Sequence, residues 1–372
     1  MAAPNIALLI SSFSLGGVQR IMVNMANELT KRGFSVALVA VSGKGPLRAK
    51  VSPQVTIRDL KSSRVLFGIS RLVRFFKVER PAVFISGQTH LNAISSIANK
   101  ISGGPSYLIV VEHNHMSSVI KSESKWVDRL RPLWARVFYP WANEILAVSE
   151  EVAADLSRLS GIDRERIKVV YNPIIDPNVL QEKDLVVDHP WFEDSKIPVV
   201  IGVGRLSAQK GFANLIQAMA KVDKVNTARL VILGEGEERA NLERLAHDLG
   251  LGGKVWMPGY VENPFAYIKR ADLFVLSSFW EGLPSVLVEA MACGTSVLST
   301  NCPAGPREIL EDGKVGKLIP VGDVDAMADG ILYCLSHPQE PEALINQARR
   351  FLSSTAVQGY IDLFPQFDLP RA

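Results

Sequence analysis

Two glutamates, Glu281 and Glu289, flank the stretch Gly282-Leu283-Pro284-Ser285-Val286-Leu287-Val288 in a chain of 372 residues. The apolar run Leu273 to Leu276 leads into this segment, and Pro284 suits the first turn of a helix continuing to Ala292. Such spacing puts Glu281 on the lip of a loop and Glu289 about one turn into the helix. The backbone amides of Ser285, Val286 and Leu287 lie between them. Carboxylates accept hydrogen bonds from sugar or ribose hydroxyls, and amides at a helix start hold phosphate oxygens. A solvated pair of charges is the plainer alternative.

A second group precedes this one. Val199 to Val203 reads as a strand, and the turn after it, Gly204-Arg205-Leu206-Ser207-Ala208-Gln209-Lys210-Gly211, delivers a guanidinium fork and an ammonium that together suit a diphosphate. As surface charges the two are equally ordinary. Gly234-Glu235-Gly236-Glu237 follows the next strand and lets a ligand lie on backbone, with Gly234 at its start. Near the beginning of the chain, Gly16 and Gly17 sit where a first strand turns into a helix. There, free N–H groups can meet a phosphate, or the glycines simply make a tight turn. The third glycine of a dinucleotide fingerprint is absent.

Parallel strands must position these groups. Short β-branched runs without polar alternation recur between helical patterns: Ile6 to Ile10, Val36 to Val41, Val83 to Ser86, Leu108 to Val111, Ile145 to Val148 and Lys168 to Val170, then Val199 to Val203, Leu230 to Leu233, Val255 to Met257, Leu273 to Leu276, Ser296 to Ser299 and Lys317 to Ile319. Strands of this kind are buried on both faces, which predicts two doubly wound α/β domains. At 372 residues the chain exceeds the ~250 to 300 that one core serves. The proline-rich, acidic stretch between Asn172 and Ser195 predicts the boundary, giving domains 1–178 and 179–349. From Gln347 to Phe367 the pattern is helical, with Phe351, Tyr360 and Phe364 as anchors, and this end is expected to return to the first domain.

GRLSAQKG, GEGEER, PGYVENP, FWEGLPSVLVEAMACG and NCPAGPREIL, in this order between Gly202 and Glu308-Ile309-Leu310, resemble the nucleotide-sugar domain of the family 4 glycosyltransferases, and the Glu281/Glu289 spacing matches that family's E-x7-E motif. With GGVQR near the start, the resemblance covers essentially the whole chain. It implies an α/β, GT-B fold, two Rossmann-like domains facing a cleft, and retaining sugar transfer from a nucleotide-diphospho sugar, most simply a UDP-hexose or UDP-N-acetylhexosamine. Carried onto this chain, it implies that Arg205 and Lys210 grip the diphosphate, Glu289 binds ribose hydroxyls and Glu281 contacts the sugar. Gly16 and Gly17 would complete the phosphate site, Met257 and Pro258 would border the base, and Gly282, Leu283, Ser285, Val286 and Leu287 would line the donor pocket. His113, just after a buried strand, matches the family's active-site histidine, with His115 as competitor. The leaving phosphate would help accept the acceptor's proton, with no protein nucleophile and no metal. A GT-B-like epimerase and a silent sugar-nucleotide binder are the alternatives.

Asp323-Val324-Asp325 has the spacing of a metal-binding pair, but Ala326 to Leu332 continues as a helix, so the acids read as caps. No cofactor or zinc spacing is evident. The net charge of +3 is divided unevenly: residues 1–178 hold 23 basic and 13 acidic residues, net +10, and the remainder hold 18 and 25, net −7. Between Lys61 and Arg80 a helix of period 3.6 places Val65, Leu66, Ile69, Leu72, Val73 and Phe76 on one side. Arg71, Arg74 and Lys77 lie on the other, together with Phe75. With the cluster from Lys125-Trp126 through Arg136 to Trp141, this face suits an anionic membrane or a lipid-linked glycan acceptor. A helix packed on the sheet with a solvated basic side is the alternative; nucleic acid is disfavoured for want of a binding module. No apolar run approaches the ~20 residues of a membrane span, the start lacks a basic leader, and three scattered cysteines suit a reducing compartment. The expected location is cytoplasmic, peripheral to the inner face of the membrane.

Overall fold

Every strand pair among the described residues runs parallel, in two sheets of seven and six strands. The structure, a computed structural model, describes residues 5–62, 68–122, 128–176, 187, 189–193 and 196–365. The chain folds as two compact units, Met1–Ile174 with Phe351–Ala372, and Ile175–Arg350. The 178/179 boundary, residues 63–67 of the expected helix, and Lys125 and Trp126 lie outside the described residues.

In the first unit the elements in chain order are β1 (Ile6–Ile10), α1 (Gly17–Lys31), β2 (Val36–Ala40), β3 (Thr56–Asp59), α2 (Ile69–Glu79), β4 (Val83–Ser86), α3 (Thr89–Ile101), β5 (Tyr107–Glu112), α4 (Met116–Ser122), α5 (Arg131–Phe138), β6 (Glu144–Ala147), α6 (Glu150–Ser160) and β7 (Ile167–Val169). The sheet order is β3-β2-β1-β4-β5-β6-β7. All residues of β1 and β2 are buried, as helix-covered strands require. β3 escapes the rule for a physical reason: it is an edge strand, half-buried at Thr56 to Arg58 and exposed at Asp59, so it has no unbroken apolar run to betray it.

The second unit comprises β8 (Val199–Val203), α7 (Phe212–Val222), β9 (Arg229–Leu233), α8 (Arg239–Asp248), β10 (Val255–Gly259), α9 (Pro264–Arg270), β11 (Leu273–Leu276), α10 (Ser285–Ala292), β12 (Val297–Thr300), α11 (Pro306–Ile309), β13 (Lys317–Ile319), α12 (Val324–Ser336) and α13 (Pro341–Ala348), in sheet order β10-β9-β8-β11-β12-β13. Leu215, Ile216, Met219 and Val222 recur at helical spacing on α7 and pack into one core with Leu230, Ile232 and Val275. Truncating any of these leucines or isoleucines to alanine costs about 2 to 5 kcal/mol. α14 (Ser353–Ile361) packs on α1, where the Arg32 guanidinium donates to Gln358 Oε1 and the Ser354 carbonyl, each at 2.6 Å. Phe351 and Tyr360 are fully buried, and Phe364 meets Phe34 edge to face.

In both sheets the chain winds outward first one way and then the other. The crossovers leaving β1 and β4, and those leaving β8 and β11, therefore part company at the carboxyl ends of the strands, where open α/β sheets hold ligands.

Candidate functional site

The second unit assembles its candidate residues at the carboxyl ends of β8 and β11. Lys210 comes from the turn after β8 and Glu281 from the loop after β11, and Lys210 Nζ donates to Glu281 Oε1 at 2.6 Å. Ser278 Oγ donates to the same oxygen at 2.6 Å. Both side chains are largely buried, so the pair is far less screened than a surface ion pair. The two loops are also joined through backbone. Ser277 Oγ donates to the Lys210 carbonyl at 2.7 Å, Gln209 Nε2 to the Trp280 carbonyl at 2.8 Å, and the Phe279 amide to the Gln209 carbonyl at 2.8 Å. Gly211 makes this closeness possible: at φ +62° a β-carbon would fall 2.2 Å from the Ser277 carbonyl oxygen. Arg205, on the same turn as Lys210, is exposed and pairs with Glu237 at 3.0 Å.

Glu281 is further pinned by its amide, which donates to the Pro303 carbonyl at 3.0 Å. Glu289 lies on α10 and is fully buried. The amides of Ser285 and Val286 have no acceptor among the described residues. Leu287 differs from expectation, because its amide already donates to the Pro284 carbonyl at 3.1 Å in a tightened first turn. Gly282 and Leu283 form the buried approach to that turn, against which Gly305 packs. Gly234 lets its loop touch the Gly204 carbonyl oxygen, where a β-carbon would sit 1.9 Å away. Met257 and Pro258 lie within β10, and the Met257 carbonyl accepts from Arg239 at 2.7 Å. All three cysteines are free thiols, and burial pushes Cys302, beside Glu281, up to about 12.

In the first unit, Gly16 caps α1 without a side chain and Gly17 begins it; a β-carbon on Gly17 would meet nothing within 4 Å. His113 follows β5 directly and is buried, with no hydrogen-bond partner for either ring nitrogen among the described residues. Burial lowers its pKa to about 4, so the ring is neutral at ordinary pH. A β-carbon on Gly87 would fall 2.9 Å from His113 Nε2, so the glycine after β4 gives the ring its room. His115 is tied elsewhere: Nδ1 lies 2.7 Å from Ser118 Oγ and Nε2 lies 3.6 Å from Asp155.

The groups behind His113 leave no mark in the local sequence. Glu112, the last residue of β5, is fully buried and accepts from Tyr139 Oη at 2.7 Å, Thr89 Oγ1 at 3.0 Å and the Asn114 amide at 3.2 Å. An acid at a strand end reads as a surface residue, and its partners are 23 and 27 positions away, so no local spacing signals them.

The basic helix also departs from expectation. Phe75 is buried, its ring 6.2 Å from those of Phe76 and Phe84, because α2 buries a wide face against the sheet. The Arg71 guanidinium donates to the Leu60 and Lys61 carbonyls, leaving Arg74 and Lys77 as the solvated cations. Asp323 caps α12, accepting from the Ala326 amide at 2.9 Å.

Two doubly wound parallel units with their candidate residues at strand carboxyl ends are the GT-B architecture. The Anabaena protein Alr3699/HepE, solved in complex with UDP-glucose, superposes with a TM-score of 0.82 at 21% identity, covering 96% of this chain and 98% of that one. A family model described as "Glycosyl transferases group 1" matches residues 188–351, and one described as "Glycosyltransferase Family 4" matches 15–176. Together they take in most of the chain, which belongs to the family 4 type of glycosyltransferase. Among relatives, the Campylobacter jejuni N-acetylgalactosamine-N,N'-diacetylbacillosaminyl-diphospho-undecaprenol 4-alpha-N-acetylgalactosaminyltransferase is 25% identical over 92% of this chain and 93% of its own length. The Rhizobium meliloti lipopolysaccharide core biosynthesis glycosyltransferase LpsE is 29% identical over 85% and 84%.

Proposed function

We propose that this glycosyltransferase moves a sugar, with retention, from a UDP-linked hexose or N-acetylhexosamine to a lipid-linked or polysaccharide glycan, and does so without a metal. The Lys210–Glu281 pair carries the reading. A lysine ammonium has three donors, so one can hold Glu281 while the others meet phosphate oxygens; Arg205 adds a fork on the same turn. As the glycosidic bond breaks, negative charge grows on the leaving diphosphate, and fixed cations lower the barrier. Glu281 then accepts from sugar hydroxyls and Glu289 from the ribose. Met257 and Pro258 border the base, and the Ser285 and Val286 amides face phosphate. In this reading the second unit takes the donor and the first takes the acceptor, with neutral His113 as the first unit's active-site histidine and Gly16 and Gly17 as its candidates for holding a phosphate. The diphospho-undecaprenol and lipopolysaccharide core in the relatives' names support an acceptor glycan of that type.

Purified protein, a membrane lipid extract and separate UDP-glucose, UDP-galactose, UDP-GlcNAc and UDP-GalNAc test the reaction. One donor should give UDP and an α-linked, sugar-labelled lipid at an undiminished rate in EDTA. A β-linked product refutes retention, loss of turnover in EDTA refutes metal independence, and UDP release without labelled product refutes transfer.

The first unit's contact is with anionic lipid. No described helix is long and apolar enough to cross a membrane. α2, α3 and α5 pack side by side and expose Val78, Ile101, Leu133 and Val137, with Trp141 just beyond α5. Arg74, Lys77, Lys100 and Arg136 are exposed among them, and Lys100 Nζ sits 4.0 Å from the centre of the Trp141 ring. Apolar anchors ringed by cations suit a negatively charged leaflet. Binding to phosphatidylglycerol vesicles should weaken with rising salt and when Arg74, Lys77 and Arg136 are neutralised. Salt-independent binding refutes this contact.

A further inference from the structure

We propose that Glu112 and Tyr139 are positioning residues for His113, a role that rests on the catalytic reading of that histidine. An active-site histidine is ordinarily aimed by a hydrogen bond to one ring nitrogen, which also fixes its tautomer. His113 has none among the described residues, so packing and backbone must aim it. Packing is supplied by Gly87, where even a methyl group would press on the ring. The backbone is supplied by Glu112. Its carboxylate reaches past His113 to take the Asn114 amide at 3.2 Å, and its carbonyl accepts from the Val148 amide at 3.2 Å, so the peptide groups on both sides of the histidine are hydrogen-bonded.

That carboxylate is in turn immobilised. Tyr139 Oη donates to Oε2 at 2.7 Å and Thr89 Oγ1 at 3.0 Å, and Asn92 Nδ2 donates onward to Tyr139 Oη and to the Val111 carbonyl, each at 2.9 Å. These donors come from α3 and from the turn after α5, separate elements that converge on the end of β5. Burial pushes the Glu112 carboxyl up, against the pull of Tyr139, the Asn114 amide and Thr89. A fully buried acid with this many donors is costly to place unless its geometry is needed. A small misplacement of a catalytic group lowers the rate steeply.

The test is a double-mutant cycle on the intact chain, following UDP release with lipid extract from whichever of the four UDP-sugars is turned over fastest. Glu112→Gln and Tyr139→Phe should each lower kcat about ten-fold or more and leave the donor KM within about two-fold. Thr89→Ser, which keeps the donor, should stay near the parent, while Thr89→Val falls with the others. Added to His113→Ala, Glu112→Gln and Tyr139→Phe should cause no further loss, because a residue acting through the ring has nothing left to position. An equal fractional loss on the His113→Ala background overturns the proposal, as does unchanged kcat in both single variants. Near-normal turnover by His113→Ala alone identifies the other failure, that of the catalytic reading on which the proposal stands. Tyr139→Phe preserves core volume, so the cycle stands even if Glu112→Gln folds poorly.

Discussion

The two units hold their candidate residues by opposite means. In the second, Lys210 and Glu281 hold each other directly, side chain to side chain at 2.6 Å, on loops that backbone bonds join. In the first, His113 makes no such bond among the described residues and is held through its neighbours, by the space at Gly87 and the buried acid beside it. A charge pair can be pre-set by its own electrostatics. A neutral ring has no comparable field to align it, so its position is fixed by packing and backbone.

The sharpest way to break this comparison is to remove one member from each unit. Lys210→Ala strands Glu281 and, in the proposed reaction, removes a cation from the leaving phosphate, so kcat/KM should fall about 10³-fold or more. His113→Ala should cost about 10²-fold, chiefly in kcat, with UDP affinity unchanged. The comparison collapses if UDP binding, measured by calorimetry, weakens as much in His113→Ala as in Lys210→Ala.

A smaller effect separates the two by pH. His113 is held near pKa 4 by burial, below the 6.5 of an unfolded histidine. Between those values the unfolded chain takes up a proton that the folded site refuses. The ring's contribution to stability is therefore complete above pH 6.5 and is lost as pH falls towards 4. Relative to His113→Gln, the parent should lose stability over this window by up to a few kcal/mol, read from urea midpoints at pH 7, 5.5 and 4.5. Parallel midpoints would mean that the ring is protonated in the folded state, contrary to its burial.

How legible each unit was follows from the same contrast. Arg205, Lys210, Glu281 and Glu289 stand in two contiguous motifs whose glycines and charges lie at short spacing, so each group is visible within one stretch of chain. The buried runs showed the parallel sheets equally well, edge strand β3 excepted. Glu112, Thr89 and Tyr139 left no such trace, because their meeting is made by three separate elements. Helical angles put Phe75 on the basic side, yet it is buried, because angles count residues without regard to how broad a face the sheet and α3 cover.

The smallest effect concerns a pair whose spacing invites a chemical reading and whose placement gives a structural one. Asp323 accepts from the Ala326 amide at 2.9 Å, and Asp325 pairs with Lys221 on the exposed side of α12. An N-cap lost to alanine costs about 1 kcal/mol, and an exposed ion pair contributes less than that. Asp323→Ala should therefore lower the urea midpoint slightly and leave transfer intact, with or without added Mn²⁺. If transfer falls and Mn²⁺ at higher concentration restores it, the pair handles a metal, and the division between a charge-held second unit and a packing-held first unit has to be redrawn around that ion.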